Sequence, residues 1–412
     1  MSFVSFDWSE TMIERYIKKM LAVLFSIVLL IGCSAQNRKT TEQSVPQKPR
    51  GDISYGALNV ESDAMGSIVA VRNGCVYGKN YEDDVAFLKY DIATGVLTTI
   101  GRADMFQGAA KSSAAVNGNI YFCYGYDDTI RDFKVVLYEL NTNLDALTKR
   151  GEMDSFSPLV YVSAGGDGFV HAVTSEKKGE IYKTKIIQFS PGQKSGSIII
   201  EKECPLDFIT GEKILACDAA EGGEIYLLTA QADNGEVAIR IEIYDVQGNF
   251  LRAIPLVGKE IEYILQQAVF QCSITDGVIF IQNFSSEMLL AQYTDTQWNL
   301  IAVGDIEFTL KRSTVSAVPE SSMQVYYEPY AGRIWCLNPE TTEIKIIEVS
   351  EIIGCDTVSK LSNVFIDEED IFFEAEIAEN GSRMYIYNLA QIYAETHGEM
   401  ITAQNLPICL YE

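Results

Sequence analysis

Apolar and polar residues alternate through most of the chain in short runs that are typical of β-strands rather than helices. A turn rich in Gly, Asn or Asp leads into an apolar and aromatic run, as in Asn73-Gly74-Cys75-Val76-Tyr77. This unit recurs seven times. The equivalent positions, which are spaced 44, 49, 56, 53, 47 and 46 residues apart, are Val76, Ile120, Phe169, Ile225, Val278, Val325 and Ile371. A near-constant period of this length predicts a repeat architecture.

Each unit continues with further alternating runs that close in polar turns, such as Asp91-Ile92-Ala93-Thr94-Gly95. Four short antiparallel strands in a unit of this length are the pattern of a β-propeller blade. We therefore predict an all-β chain with a single propeller over residues 51–412, with seven blades of four antiparallel strands. Six or eight blades stay open because the last two copies are weak. Residues 53–60 could supply the outer strand of the last blade and close the ring.

The N-terminal region has a different pattern. Basic residues Arg15, Lys18 and Lys19 precede an apolar run over 20–31, which ends in Gly32-Cys33. A run of this length is too short to span a membrane, which takes about 20 apolar residues, but it fits a signal peptide. An uncleaved anchor or a buried helix is the alternative. Acidic residues in the first eleven positions are out of place before a signal, which leaves Met12 as a second candidate start.

This order of charge, apolar run, small residue and cysteine resembles a bacterial lipoprotein signal peptide. The resemblance implies that residues 1–32 are removed and that Cys33 becomes the lipidated first residue. It also implies a cell-membrane or cell-envelope location on the extracytoplasmic face, with the inner or outer membrane left open. The following residues, 33–50, are polar and contain two prolines, so we expect a flexible tether.

Charge divides the chain further. The whole sequence carries −25, residues 1–32 sum to zero, residues 33–50 carry +3, and −28 remains for residues 51–412. A basic tether is attracted to anionic lipid, whereas so acidic a domain is repelled by it and by nucleic acid. We therefore expect a membrane contact through the lipid anchor and no nucleic-acid partner. The alternative is that the negative charge of the domain only keeps it soluble.

The repeat shape resembles the irregular TolB-like and quinoprotein-like propellers of bacterial envelope lipoproteins. Tyr90-Asp91-Ile92-Ala93-Thr94-Gly95 is similar to the Asp-x-x-Thr-Gly turn of quinoprotein repeats, although the tryptophan that follows it in that family is missing. The resemblance implies an envelope propeller, and we expect no quinone.

Few residues suited to catalysis occur in the body of the chain. His171 lies in an apolar run, where a structural role is expected, and His397 lies in a polar segment. The eight cysteines after Cys33 form no Cys-x-x-Cys pair, which argues against structural zinc, and we expect mostly free, buried thiols.

Acidic and aromatic residues recur in the loops that join the second and third strands. In propellers these loops lie on one face, so we predict a ligand-binding rim made by Tyr81, Asp83, Asp84, Tyr126, Asp127 and Asp128. Further acids occur in residues 233–236 and at Glu374, Glu376 and Glu379. Carboxylates gathered there could bind calcium or a basic peptide, and tyrosines could stack on a sugar. A set of solvated acidic loops is the alternative.

From these observations we expect a monomeric, non-catalytic binding or scaffold module for a protein, peptide or glycan. No cofactor is expected, with calcium as the only metal that the acids suggest. A carboxylate-based glycan hydrolase or lyase is one alternative, and it predicts two converging acids, one with a raised pKa. An accessory subunit of an envelope complex is the other, and it predicts an exposed apolar patch on one face.

Overall fold

A computed structural model describes the chain between residues 53 and 401 with interruptions. The described stretches are 53–80, 85–103, 113–116, 119–129, 132–155, 161–165, 168–190, 193, 195–205, 210–220, 223–265, 269–275, 277–283, 287–294, 296–305, 310–317, 323–377 and 381–401. The predicted signal peptide and tether, including Cys33, lie outside these stretches. Their boundaries therefore stay predictions.

Strands dominate the described part of the chain, and they form seven separate sheets. In chain order, β1 (Gly56–Glu61) and α1 (Ser62–Met65) come first. Blade 1 follows with β2 (Ser67–Arg72), β3 (Cys75–Asn80), β4 (Val85–Asp91) and β5 (Val96–Ala103). Blade 2 has β6 (Ser113–Val116), β7 (Asn119–Thr129), β8 (Asp132–Asn141) and β9 (Ala146–Ser155). Blade 3 has β10 (Tyr161–Ala164), β11 (Val170–Lys178), β12 (Ile181–Phe189) and β13 (Ser197–Pro205).

Blade 4 has β14 (Gly211–Ala219), β15 (Ile225–Asp233), β16 (Glu236–Tyr244) and β17 (Phe250–Leu256), followed by α2 (Lys259–Ile264). Blade 5 has β18 (Val269–Thr275), β19 (Val278–Asn283), β20 (Glu287–Tyr293) and β21 (Trp298–Asp305). Then come β22 (Lys311–Arg312), β23 (Thr314–Ala317), β24 (Gln324–Glu328), β25 (Arg333–Asn338), β26 (Glu343–Glu348) and α3 (Val349–Ile353). The last elements are β27 (Lys360–Asp367), β28 (Asp370–Ile377), β29 (Gly381–Asn388), α4 (Leu389–Glu395) and β30 (Glu399–Ile401).

The four blade strands of each sheet run from an inner to an outer strand and are antiparallel to their neighbours, and together the sheets form a seven-bladed propeller. The predicted fold and blade count are therefore confirmed. Six of the seven repeat positions lie in second strands, and Phe169 lies one residue before β11. The period was readable because each hairpin needs the same turn chemistry, for example Asn73 and Gly74 at φ 52° and 71°.

The N-terminal strand closes the ring. β1 pairs antiparallel with β29, with Gly56 opposite Ile386 and Glu61 opposite Arg383. The first described strand is thus the outer strand of blade 7, as expected for residues 53–60. This pairing of a strand before blade 1 with blade 7 prevents the ring from opening between blades 7 and 1.

Blades 6 and 7 depart from the simple pattern. The inner strand of blade 6 is split: β22 pairs with β24 in blade 6, whereas β23 runs parallel to β27 and joins blade 7. Cα atoms of β23 also come within 8 Å of β2 and β6, so this strand lies near the axis of the ring. β30 adds a fifth strand outside β26. No pattern in the sequence predicts these three pairings.

Apolar side chains fill each interface between neighbouring blades. Seven clusters of buried residues account for the seven interfaces. Between blades 1 and 2, for example, the Phe87 ring centroid lies 5.9 Å from that of Phe122 and 5.6 Å from that of Tyr138. Because a single twisted sheet cannot cover both of its faces, this packing around the ring provides the core.

Polar contacts repeat at one end of these interfaces. A third-strand side chain reaches the turn between the third and fourth strands of the next blade. Lys89 forms an ion pair with Asp145 at 2.6 Å, Gln188 donates to the carbonyl of Val246 at 2.7 Å, and Gln292 donates to that of Pro339 at 3.1 Å. We call the face with these turns the lower face. The upper face carries the turns between second and third strands and the connections between blades.

Candidate functional site

The side chains of the predicted rim are not among those described. Tyr81, Asp83 and Asp84 lie outside the described residues. The backbone of Tyr126, Asp127 and Asp128 lies in the last part of strand β7, whereas the sequence analysis expected a loop there, and their side chains are not described. The rim therefore stays a prediction. Other residues form the part of the upper face that the structure describes.

The acidic hairpin of blade 4 is a compact, exposed turn. Asn234 and Gly235 have φ of 51° and 87°, the values of a two-residue turn that joins antiparallel strands. Asn234 Nδ2 donates to Asp233 Oδ1 at 2.9 Å. Asp233 and Glu236 flank the turn and are exposed, so this predicted acidic loop does present carboxylates to solvent.

In blade 7 the predicted acids differ from one another. Glu374 accepts hydrogen bonds from Asn363 Nδ2 and Ser382 Oγ at 2.6 Å each, and from Ser362 Oγ at 3.2 Å. Asn363 adopts φ 49° at an irregularity of β27, which brings its amide to the carboxylate. Glu374 thus fastens the upper ends of three strands together, whereas Glu376 is exposed.

A network of charges joins blades 3 and 4, from Glu212 at the upper end of β14 to Glu242, two residues before the lower end of β16. Glu242 is only 1% exposed in a strand of isoleucines, and it lies 2.9 Å from Lys202 of blade 3. Arg240 Nε donates to Glu242 at 2.6 Å. Glu212 receives bonds from the Lys202 amine at 2.6 Å and from Arg240 at 2.7 Å. Two cations and two carboxylates balance each other across this interface.

The pKa values in this network follow from its contacts. Burial raises the pKa of Glu242, but hydrogen bonds from Tyr244, Lys202 and Arg240 outweigh it and hold that pKa below its usual value. Burial and the hydrogen bond to Glu242 raise the pKa of Tyr244 to about 12. Glu242 is therefore ionised at neutral pH, and its surroundings stabilise it as a fixed charge rather than as a proton donor.

A second group of charges follows on the other side of blade 3. Lys183 forms ion pairs with Glu201 at 2.8 Å and with Glu203, and Lys185 pairs with Glu176. These side chains alternate across three strands, where opposite charges on one face of a sheet attract each other. They are partly exposed, so this ladder contributes little to stability and is accessible from solvent.

Blade 6 presents an aromatic side chain on a fixed turn. Tyr330 lies between β24 and β25 and is 66% exposed. The backbone on both sides of it is tied down, since the Pro329 carbonyl accepts from Leu361 N at 2.7 Å and the Gly332 carbonyl from Val349 N at 2.9 Å. The tyrosine is thus held rigidly towards solvent, a property of residues that anchor interfaces. Tyr330 was not among the predicted site residues, because it belongs to one of the two weak repeats.

Beneath this turn lies another buried carboxylate. Trp335 Nε1 donates to Glu328 Oε1 at 2.6 Å, and Arg333 lies 3.8 Å from the same oxygen and 3.4 Å from Glu348. An indole donor and a guanidinium satisfy the buried acid from two sides. The upper end of the interface between blades 5 and 6 is therefore closed by a hydrogen-bonded charge.

A buried amine completes the upper end of blade 1. Lys79, the fifth residue of β3, is fully buried, and burial lowers its pKa to about 8. It lies opposite Phe87 on β4 and Ser67 on β2, two positions before the predicted rim residue Tyr81 in the sequence. In blade 1, an amine of lowered pKa thus comes just before the predicted acidic loop in the sequence.

The histidines and cysteines have structural surroundings. His171 is buried, and its Nε2 lies 3.0 Å from Gln188 Nε2, whose amide binds the turn of blade 4. His397 is exposed, with Nδ1 3.2 Å from Glu351. All seven described cysteines are free and six are buried, which confirms the expectation of mostly free, buried thiols. Among the described residues, no three His, Cys, Asp or Glu side chains gather as a metal site would require.

Comparisons with known proteins bear on the architecture alone. No family model matches the chain, and no curated protein does. Among solved structures, Sqt1 of Saccharomyces cerevisiae shares 10% identity over 85% of this chain and 88% of its own, with a TM-score of 0.49. An oligogalacturonate lyase of Vibrio parahaemolyticus shares 7% identity over 83% and 92%, with a TM-score of 0.47. TolB of Acinetobacter baumannii shares 12% identity over 64% and 57%, with a TM-score of 0.36.

At such identities these similarities add nothing to the propeller architecture already described. Within the described stretches, no helix combines the length and the apolar character that a membrane span requires.

One carboxylate does have the raised pKa that the hydrolase alternative predicts. Burial raises the pKa of Asp367 more than its ion pair with Arg72 lowers it, and Glu368 adjoins it. Asp367 is only 3% exposed, however, and lies at the lower end of β27. Its oxygens bind Arg72 at 2.6 Å and Asn73 N at 2.7 Å across the seam between blades 7 and 1. This acid joins two blades.

Proposed function

We propose that the chain is a lipid-anchored, extracytoplasmic propeller that serves as a non-catalytic binding or scaffold module. Its upper face binds a protein, peptide or glycan. The observation that carries this proposal is the state of the upper-face charges. Glu328 is buried and accepts from an indole, Glu212 accepts from two cations, and Glu374 is held by three hydrogen bonds. Groups held in this way favour a rigid surface that is already formed when a partner arrives.

The accessible groups of the same face suit binding. Tyr330 is held outward on a fixed turn, and the blade 4 hairpin presents Asp233 and Glu236. The predicted rim residues of blades 1 and 2 would add tyrosines and further acids. Aromatic side chains with neighbouring charges favour contacts with a peptide or a sugar ring. Calcium in the acidic rim remains part of the proposal, through carboxylate ligands.

Cross-linking in the native membrane, followed by recovery of the full chain, tests this function. We expect the native chain to recover a specific partner and the Cys33→Ala form to lose it, because the latter is no longer held at the membrane. Tyr330→Ser should reduce recovery, whereas Leu144→Ser, a matched exposed residue on the lower face, should not. If no form recovers a partner while the purified protein degrades a glycan, the hydrolase or lyase alternative holds instead.

A further inference from the structure

Exposed apolar side chains are distributed unevenly between the two faces. Among the thirteen large ones in the described residues, eight lie on the lower face, in turns between third and fourth strands, near the start of outer strands or just before β1. We call these eight residues the lower apolar rim: Tyr55, Val96, Leu97, Leu144, Ile198, Phe250, Leu251 and Leu300. They occur on blades 1 to 5 and on blade 7. In blade 6 the outer strand is covered by β30 instead.

The acids of the same turns point back into the protein. Asp91 accepts bonds from Thr94 N and Oγ1 at 2.9 Å each. Asp245 accepts from Asn249 N at 2.8 Å and Gln247 N at 3.0 Å, while Asp145 is paired with Lys89. Each of these carboxylates closes its own turn or joins two blades. The turn acids are therefore already partnered, while the apolar side chains beside them stay exposed.

The chain also enters the propeller at this face. β1 begins opposite Ile386 near the lower end of β29, and Tyr55 just before it donates to Asp370 at 3.1 Å. Nineteen residues lie between Cys33 and Ile53. A flexible segment of that length has an average span of about 25 Å. A lipid on Cys33 thus keeps the lower apolar rim near the bilayer surface.

We propose that the lower apolar rim rests on the lipid surface that holds Cys33, with the upper face turned away from the membrane. This inference rests on the lipid anchor of the proposed function. The rim residues occur in ones and twos around the perimeter of the ring, whereas a protein partner is usually anchored in a compact, central group of residues. A planar, fluid lipid surface accepts apolar side chains at widely spaced points, to a depth of about 5–10 Å.

Fluorescence quenching on vesicles tests this orientation. The full, lipidated chain carries Cys355→Ser and Cys409→Ser and a single label at Leu144→Cys or at Val257→Cys. These two sites are a matched pair, because Leu144 is 67% exposed on the lower face and Val257 is 70% exposed on the upper face. The vesicles contain phosphatidylcholine and a nitroxide-labelled lipid. Blade 3 strands of nine residues separate the faces by about 30 Å, which is beyond the reach of the quencher.

We expect the label at Leu144→Cys to lose most of its fluorescence and the label at Val257→Cys to keep it. A Phe250→Ser, Leu251→Ser variant should lessen the loss at position 144. Equal quenching at both sites, or stronger quenching at Val257→Cys, overturns the inference. If the vesicles float the protein but quench neither label, the rim faces a protein instead, as an accessory subunit would require. If the protein does not float, the lipid anchor itself fails, and the proposed membrane location falls with it.

Discussion

Replacing Asp367 by asparagine should weaken the closure of the ring. Its carboxylate lies 2.6 Å from Arg72, and both side chains are buried. Removing one partner of a buried ion pair costs about 3–5 kcal/mol, since the other charge is left in a poor solvent. Glu368 stays 3.0 Å from Arg72, and the asparagine oxygen can still accept from Asn73 N. We therefore expect the free energy of unfolding to fall by about 2–4 kcal/mol.

Urea unfolding followed by tryptophan fluorescence measures this change, with Glu368→Gln as the matched control. Glu368 is 43% exposed and binds the same guanidinium, so its substitution should cost under about 1 kcal/mol. In a double-mutant cycle, Arg72→Met together with Asp367→Asn should be less damaging than the sum of the two, because no charge is left unpaired. Hydrogen exchange should speed up first in β1 and β29. Equal losses for Asp367→Asn and Glu368→Gln would refute the role of the buried pair.

Two further substitutions test the charge network between blades 3 and 4 and the turn that carries Tyr330. Because the pKa of Glu242 is lowered in the folded protein, its charge stabilises the fold above the unfolded pKa of about 4.3, and this contribution is lost as the pH falls through the folded pKa. The difference in unfolding free energy between the native chain and Glu242→Gln should therefore be largest near neutral pH and shrink below about pH 4. Urea titrations at several pH values measure this difference. A difference that does not change with pH would contradict the ion-pair network. In thermal unfolding, Gly332→Ala should destabilise the protein more than Gly354→Ala. Both glycines have φ near 65°, but only the new methyl group at position 332 would meet another side chain, Val358, at 2.9 Å. Similar losses of stability would mean that the turn carrying Tyr330 is not tightly packed.

The blades were predictable from sequence because each one repeats a local signal. A turn such as Asn73-Gly74 must supply positive φ, and an alternating run follows it, so hairpins can be found one at a time. Closure of the ring by β1 could also be predicted from the sequence. A strand that precedes blade 1 has no partner there, and the last blade needs an outer strand. The split between β22 and β23 could not be predicted from the sequence. Thr314 pairs in parallel with Phe365, which is far away in the sequence, and no local pattern indicates such a pairing.

The charge networks were missed for a similar reason. Lys202, Glu212 and Glu242 come together only when blades 3 and 4 face each other, and their spacing in sequence carries no sign of it. One signal was available in Ile241-Glu242-Ile243, where an acid stands between two isoleucines of a strand. A charge in such a run must be buried with a partner, because an unpaired one would be too costly. The acids chosen instead were loop acids, which are noticeable but need no partner.

The position of β1 has a mechanical consequence. In the proposed anchored state, a pull from the membrane side acts through Tyr55, at the lower end of β1, and along the axis of that strand. Force along a strand loads its hydrogen bonds to β29 together, in shear, whereas a sideways pull would break them one after another. Yielding under such a load separates a whole strand from blade 7 rather than unravelling a loop. In the proposed anchored state, the blade that closes the ring therefore bears the tension, and the upper face lies outside the path of the force.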